Sequence, residues 1–425
     1  MNGSLRVAAL QLQAHDTADF AAVLDSILAS VRRTAEQADL LVLPEATFPG
    51  YVLERREVDA GAIAAALDAL REIARSTKTV VVVGAAASDK GEIRNAAFAI
   101  DADGSIAGRA DKLFLWHFDR RWFAAGDRIE PILTAAGPLG VLVCADGRLP
   151  TIARTLVDRG ARVLVMPTAW VTSGRNPDAL ENVQADLLAR VRAFENRVPF
   201  VAANKCGSEL GMVAYCGKSQ IVDELGEPIA VAGEREAAAI FGEIAPPSGK
   251  ACRAELASPQ PAARLERTAR IAVSCDPLPA DIARRLELLD DACALAPGEV
   301  ATSGAAPAVA FVSDDEMSDP AGLIPYRRAG YSLLAWATRR GDPWVERLAR
   351  ARALELRLYL AVFDRALGRA FAVDPDGTVV AGTFGGYRLA SFPLDPRKTA
   401  DTTVAPGSDV VEGLDRVAAI VDRAP

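Results

Sequence analysis

Hydrophobic positions in residues 1–245 switch repeatedly between the period of a strand and that of a helix. Arg6 to Leu12 is almost unbroken apolar sequence and predicts a buried strand. Phe20, Val23, Leu24, Ile27, Leu28 and Val31 then recur at helical spacing and leave one apolar face. Asp39 to Leu43 predicts a second strand that stops at Pro44-Glu45. Ile63, Leu67, Leu70 and Ala74 mark a second helix, and Thr79 to Val83 a third strand. Glu92 to Ile100 and Ser105 to Ala110 flank the turn sequence Asp101-Ala102-Asp103-Gly104, as in a hairpin. Further on, a strand runs into Cys144 and a helix covers Thr151 to Arg159. Arg162 to Met166 predicts a strand, Leu180 to Asn196 a helix, and Pro199 to Ala203 a strand. Lys218 to Val222 and Pro228 to Val231 predict a hairpin around Leu225-Gly226. This alternation defines a layered α/β domain over residues 1–245.

The pattern dissolves over residues 246–269, where Pro246-Pro247-Ser248-Gly249 and Ser258-Pro259-Gln260-Pro261 predict a linker. Residues 270–425 then echo the first domain in the same order. Arg270-Ile271-Ala272-Val273 echoes Arg6-Val7-Ala8-Ala9. Ala310 to Ser313 echoes the strand into Cys144, with Ser313 opposite the cysteine. Arg352-Ala353-Leu354-Glu355 echoes Arg192-Ala193-Phe194-Glu195, and Val373-Asp374 with Gly377 echoes Val222-Asp223 with Gly226. The expectation is a shortened, degenerate repeat that lacks most of the segment holding Glu45 and Lys112 in the first copy.

A chain of 425 residues with 50% hydrophobic content can bury more than one core. A net charge of −8 with mixed signs argues against a nucleic-acid or polybasic membrane-binding surface. No apolar stretch is long enough to span a bilayer, and the first residues enter a strand-like run without a signal-peptide pattern; a cytoplasmic location is the expectation. The six cysteines form no CxxC pair, and with two histidines, His15 and His117, neither a zinc site nor a His-rich metal site is expected.

Three strand ends carry candidate chemistry. Gly140-Val141-Leu142-Val143-Cys144-Ala145-Asp146-Gly147-Arg148-Leu149-Pro150 predicts a strand, a sharp turn and a helix, a geometry that lifts one side chain above a sheet edge. Cys144 there is a candidate nucleophile, because helix N-termini and nearby cations favour the thiolate. With so few histidines, a carboxylate is the expected base. Glu45 stands just past a buried strand, at the edge where open α/β sheets collect ligands. Lys112, between a strand and an aromatic loop, is placed to hold a thiolate and to donate to an oxyanion. Taken singly, each of these residue types is more often structural or solvated; the three together change that balance.

The chain resembles the nitrilase, or carbon–nitrogen hydrolase, superfamily. The resemblance rests on Leu43-Pro44-Glu45-Ala46-Thr47-Phe48-Pro49-Gly50-Tyr51, Asp111-Lys112-Leu113 through Gly126-Asp127, Val143 to Pro150, Arg162 to Trp170, Arg192 to Asn196, Asn204 and Gly217 to Asp223. It implies a four-layer α-β-β-α sandwich, with Glu45 as general base, Lys112 as oxyanion stabiliser and Cys144 as nucleophile. A second glutamate common in the family is matched by Asp119, one methylene shorter; it either serves the leaving group or pairs on the surface with Arg120 or Arg121. The implied activity is thioester-mediated hydrolysis of a small linear amide or N-carbamoyl compound, with water as second substrate and no cofactor. Ala145 supplies an oxyanion N–H, while Trp170 and Tyr51 are candidate pocket residues, and loops 48–58, 114–127 and 167–180 are expected to shape the pocket. A nitrilase, an acyl-transferring enzyme and a non-catalytic pseudoenzyme are the alternatives; Ala145-Asp146 stands where nitrilases typically carry Trp-Glu. Because relatives commonly pair subunits through their sandwiches, the degenerate copy is expected to form an intrachain pseudo-dimer without a second active site, with further homo-oligomerisation left open.

Overall fold

The computed structural model describes residues 3–423 apart from 54–57, 90, 175, 177, 283–284, 286–290 and 384–387. Parts of the loops expected at 48–58 and 167–180 therefore lie outside the described residues. Two compact units emerge. The first comprises Met1–Lys250 together with Ala405–Ser408 and Glu412–Pro425; the second comprises Ala251–Val404 and Asp409–Val411.

The first unit is mixed α/β and carries two sheets. Strands β1 (Leu5–Gln13), β2 (Leu40–Val42) and β3 (Val80–Asp89) are parallel. Antiparallel β4 (Glu92–Ile100) and β5 (Ile106–Asp111) extend that sheet at one side. The second sheet begins with β6 (Ile132–Thr134) and β7 (Gly137–Val141), then β8 (Val163–Pro167) and β9 (Phe200–Ala203), the last three parallel. β10 (Lys205–Glu209) and β11 (Val213–Cys216) return to the first sheet beyond β1. β12 (Gln220–Val222) and β13 (Pro228–Val231) complete the second, and β14 (Ala238–Ile244) pairs antiparallel with β1. Helices α1 (Phe20–Ala35) and α2 (Ala60–Thr77) cover the first sheet. Their stripes, Ile27 and Val31 with Ile63, Leu67, Leu70 and Ile73, pack on Leu10, Leu41, Val81 and Val83. Burying each such aliphatic side chain contributes about 1.5–3 kcal/mol.

Two predicted elements differ in extent. The third strand runs on to Asp89 because Ala85 to Ala87 keep pairing with β4, a stretch of small residues that apolar periodicity underweights. The helix expected from Leu180 starts later: a π turn spans Gln184–Leu188 and α-helix follows over Ala189–Asn196. Asn182 is the reason. Its Oδ1 accepts from the Gln184 N–H at 2.9 Å, while its Nδ2 donates to Val171 O, so it caps the segment rather than continuing it.

The second unit also has two sheets. Strands β15 (Ala269–Ser274), β16 (Ala292–Ala296) and β17 (Glu299–Ser303) form one of them. The other starts with β18 (Val309–Val312), β19 (Leu333–Thr338), β20 (Tyr359–Asp364), β21 (Arg369–Val373) and β22 (Val379–Gly382), in that order. β23 (Leu389–Leu394) pairs antiparallel with β15. Ile271, Val273, Leu295, Leu333, Phe363 and Phe392 share one core.

Candidate active site

Three connections in the first unit bring titratable groups together. β2 ends at Val42, and Pro44 breaks the ladder before Glu45. The turn lies so close to β3 that a Cβ on Gly84 would sit 2.5 Å from the Glu45 Cα; only glycine fits there. Lys112 follows β5 directly, its N–H donating to Asn95 O at 2.8 Å. Cys144 opens a short 3-10 turn, Cys144–Arg148, that leads from β7 into helix α3 (Pro150–Asp158). Each connection holds one non-glycine residue in the left-handed region: Ala46 at φ 44°, His117 at 47° and Cys144 itself at 47°. Such a conformation costs about 1–2 kcal/mol per residue and persists only where the surrounding packing enforces it.

The side chains form a buried charged cluster. Lys112 Nζ lies 2.7 Å from Glu45 Oε1 and 2.6 Å from Asp119 Oδ2, and all three side chains are fully buried. Glu45 Oε1 also accepts from Asn95 Nδ2 at 2.7 Å, which leaves Oε2 buried without a hydrogen-bond partner. Asp119 Oδ1 accepts from the Tyr51 hydroxyl at 2.8 Å, and Oδ2 from the Trp116 N–H. Asp119 thus belongs to the buried cluster, and the surface pairing with Arg120 or Arg121 does not occur. Burial pulls the Lys112 ammonium down, but Asp119 and Glu45 outweigh it and hold the group well above its ordinary value.

Cys144 is 6% exposed. The expected thiolate is not what this environment favours. Burial and the Glu45 carboxylate push the thiol up, and Lys112, the Thr168 hydroxyl and the Ala169 backbone only partly oppose them. The surroundings of the sulfur therefore favour the thiol over the thiolate. Sequence spacing reveals the neighbouring cation but not the desolvation that outweighs it. The turn after Cys144 is fixed by Asp146, whose Oδ1 accepts from the Leu113 and Phe114 N–H groups and whose Oδ2 accepts from Val143 N–H. Desolvation pushes Asp146 up to about 7 against these three donors. The carboxylate ties the cysteine turn to the lysine loop. Ala145 lies buried in the same turn. Trp170 is buried, with its backbone N–H on Asn204 Oδ1 and its indole Nε1 without a hydrogen-bond partner. Among the described residues, no group of three or more His, Cys, Asp or Glu could hold a metal ion, and no helix is long and apolar enough to cross a membrane.

Sequence reasoning missed the support behind Tyr51. Glu209 is fully buried; its Oε1 lies 2.6 Å from Lys205 Nζ, and its Oε2 accepts from the Tyr51 and Val52 N–H groups at 3.0 and 2.8 Å. Lys205 also donates to Ala46 O, next to Glu45. The available signal was Lys205 and Glu209 at the two ends of one strand, charges of opposite sign where strands are usually uncharged, and Asn95 inside β4, where asparagine is disfavoured, marks the Glu45 contact in the same way. Replacing Glu209 with Gln removes the counter-charge of a buried ammonium. The variant is expected to lose about 3 kcal/mol in urea unfolding; a change below about 0.5 kcal/mol would show that this pair contributes nothing.

Comparison with known proteins places this geometry in a class. The family model for carbon-nitrogen hydrolase matches residues 6–254. A hydrolase in the pqqF 5' region of Pseudomonas protegens is 37% identical over 218 residues, covering 49% of this chain and 73% of the relative. An (R)-stereoselective amidase of Pseudomonas sp. is 30% identical, covering 55% of this chain and 82% of that protein. The crystal structure of an amidase from Nesterenkonia sp. superposes with a TM-score of 0.52 at 29% identity, covering 58% of this chain and 92% of that one. The chain belongs to the carbon-nitrogen hydrolase family. It is a hydrolase of the kind that acts on C–N bonds other than peptide bonds.

Proposed function

We propose that this enzyme hydrolyses a small linear amide or N-carbamoyl compound through a thioester on Cys144. The reading is carried by Glu45: one of its oxygens is fixed by Lys112 and Asn95, while the other is buried, bare and available for a proton. Glu45 takes the Cys144 proton as the sulfur attacks the carbonyl carbon. The Lys112 ammonium and the Ala145 N–H stabilise the oxyanion. Collapse expels ammonia or an amine, which takes the proton from Glu45, and leaves the acyl group on sulfur. Water, deprotonated by Glu45, then releases the acid and restores the thiol. Asp119 keeps Lys112 charged and in place, a task that needs less reach than protonating a leaving group. Trp170 and Tyr51, both buried, are assigned to the wall around the substrate. Amidases and a nitrilase both stand among its relatives, so the preference for amide over nitrile rests on Ala145-Asp146 standing where nitrilases typically carry Trp-Glu. Acid and ammonia released from a panel of short amides and carbamoyl compounds, but not from the matching nitriles, is the expected result. Turnover of nitriles alone would overturn the amide assignment.

Glu45→Gln separates proton transfer from electrostatics. Removing a negative charge beside the sulfur makes the thiol more acidic, so thiolate absorbance should appear at lower pH than in the parent. Hydrolysis should nevertheless fall at least about 1,000-fold. Turnover that rises with the thiolate would contradict a proton-carrying role for Glu45.

We also infer that the two sheets of the first unit are the inner layers of a four-layer sandwich, and that the second unit is its degenerate copy without an active site. Internal parallels support the copy. Arg192 and Glu195 pair at 2.5 Å, fully buried, and Arg352 and Glu355 pair at 2.7 Å in the same i,i+3 relation. The helices that carry these pairs, Ala189–Asn196 and Trp344–Leu356, each end in a left-handed arginine, Arg197 or Arg357. Arg190 Nε donates to Gly226 O, and Arg350 Nε to Gly377 O. Ser313, opposite Cys144 in the repeat, caps a short helix in extended conformation with its hydroxyl on Glu316, so it has no nucleophile turn.

A further inference from the structure

Residues 405–408 and 412–423 follow the second unit in the chain, yet they pack into the first. They lie outside the segment that matches the family model. They reach the loop between Lys112 and Gly126, which carries both partners of the Lys112–Asp119 ion pair. Ser408 is fully buried. Its hydroxyl accepts from the His117 N–H at 2.9 Å and donates to Leu115 O at 3.2 Å. Those two backbone groups flank Trp116, whose own N–H and C=O hold the Asp119 turn. His117 is the strained residue of that turn. Arg416 Nη2 donates to Gly126 O at 2.7 Å, and the Gly126 N–H donates in turn to Lys112 O at 2.8 Å. Between these two anchors the C-terminal helix approaches so closely that a Cβ on Gly413 would stand 2.9 Å from Leu149 and 3.0 Å from the Phe114 ring. Leu414, Val417 and Ile420 are buried.

We propose that this C-terminal segment is a strap on the catalytic loop, with Ser408 and Arg416 as positioning residues for Asp119 and Lys112. The proposal rests on the roles given to those two residues above. Ser408 satisfies the His117 N–H and the Leu115 C=O at once, and so fixes the strained turn from which Asp119 extends. Arg416 holds the far end of the same loop through the backbone of Lys112. Neither side chain reaches the reacting atoms; both act through the ion pair that sets the Lys112 ammonium.

The test uses the full-length chain, with Ser408→Ala, Arg416→Ala and Arg416→Lys measured for kcat, KM and thermal midpoint on one amide substrate. A misplacement of the ammonium by a fraction of an ångström should lower kcat of Ser408→Ala and Arg416→Ala about 10- to 100-fold, with KM within about threefold of the parent. Arg416→Lys keeps a donor for Gly126 O and should recover most of the loss. Turnover per folded molecule within about twofold of the parent in both alanine variants would overturn the strap, even if their midpoints fall. If Ser408→Ala does not fold, the Arg416 pair decides alone. Lys112→Met serves as the control: if it retains turnover, the catalytic assignment fails, whereas if it is inactive and the strap variants are not impaired, only the strap fails.

Discussion

Cys144→Ala is expected to reduce amide hydrolysis at least about 10,000-fold while leaving the protein folded. The size follows from the proposed chemistry. Without the sulfur, Glu45 can only direct water at an unactivated amide, and no covalent intermediate divides the barrier. The fold should tolerate the change because the turn is held by Asp146 and by the helix after it, not by the sulfur. Alanine also adopts the same strained backbone at that position no less readily than cysteine. The measurement is single-turnover ammonia release, with intact-protein mass spectrometry of the parent to detect the acyl adduct. An alanine variant that keeps more than about a tenth of parental turnover would sink the thioester route, and with it the distinction between this site and an ordinary buried ion pair.

The parts of this site that could be read from sequence share one property. Glu45 and Cys144 each stand three residues past the end of a strand, after a run that stays apolar or proline up to them, and Lys112 follows β5 directly, so each marks the end of an element and a place at the sheet edge. Asp119 has no such marker. It lies in a one-turn helix, and its inward orientation depends on Tyr51 and Lys112, neither adjacent in sequence. Glu209 and Ser408 are harder still. Their contacts to Tyr51 and to His117 span 158 and 291 positions. The protonation of Cys144 could not be read at all, because it depends on how much water the packed structure removes from the sulfur. Periodicity reports which face of an element is apolar; it carries no measure of desolvation. Local pairs are legible in a way that these long-range contacts are not: Arg192 with Glu195, and Arg352 with Glu355, each stand one helical turn apart.

Lys112→Met should both abolish turnover and introduce a pH dependence of stability between about pH 5 and 8. In the parent, the ammonium lies between two buried carboxylates, and its folded value is raised. That group's contribution to stability is complete below its unfolded value and is lost only as pH rises through the higher folded one. Methionine fills the space but leaves Glu45 and Asp119 facing each other without a cation. With the cation gone, repulsion between two buried carboxylates favours uptake of one proton by the folded variant, a proton that the unfolded chain releases. Its stability should therefore rise as pH falls from about 8 to 5, the window in which the unfolded carboxylates remain ionised and the folded pair takes up its proton. The deficit relative to the parent should be about 3–5 kcal/mol at the upper end of that window and smaller at the lower end. Urea unfolding at several pH values measures it directly. A deficit that stays constant across the window would mean that the two carboxylates do not share the site electrostatically, and Asp119 could not then be what keeps Lys112 charged and aimed at the oxyanion.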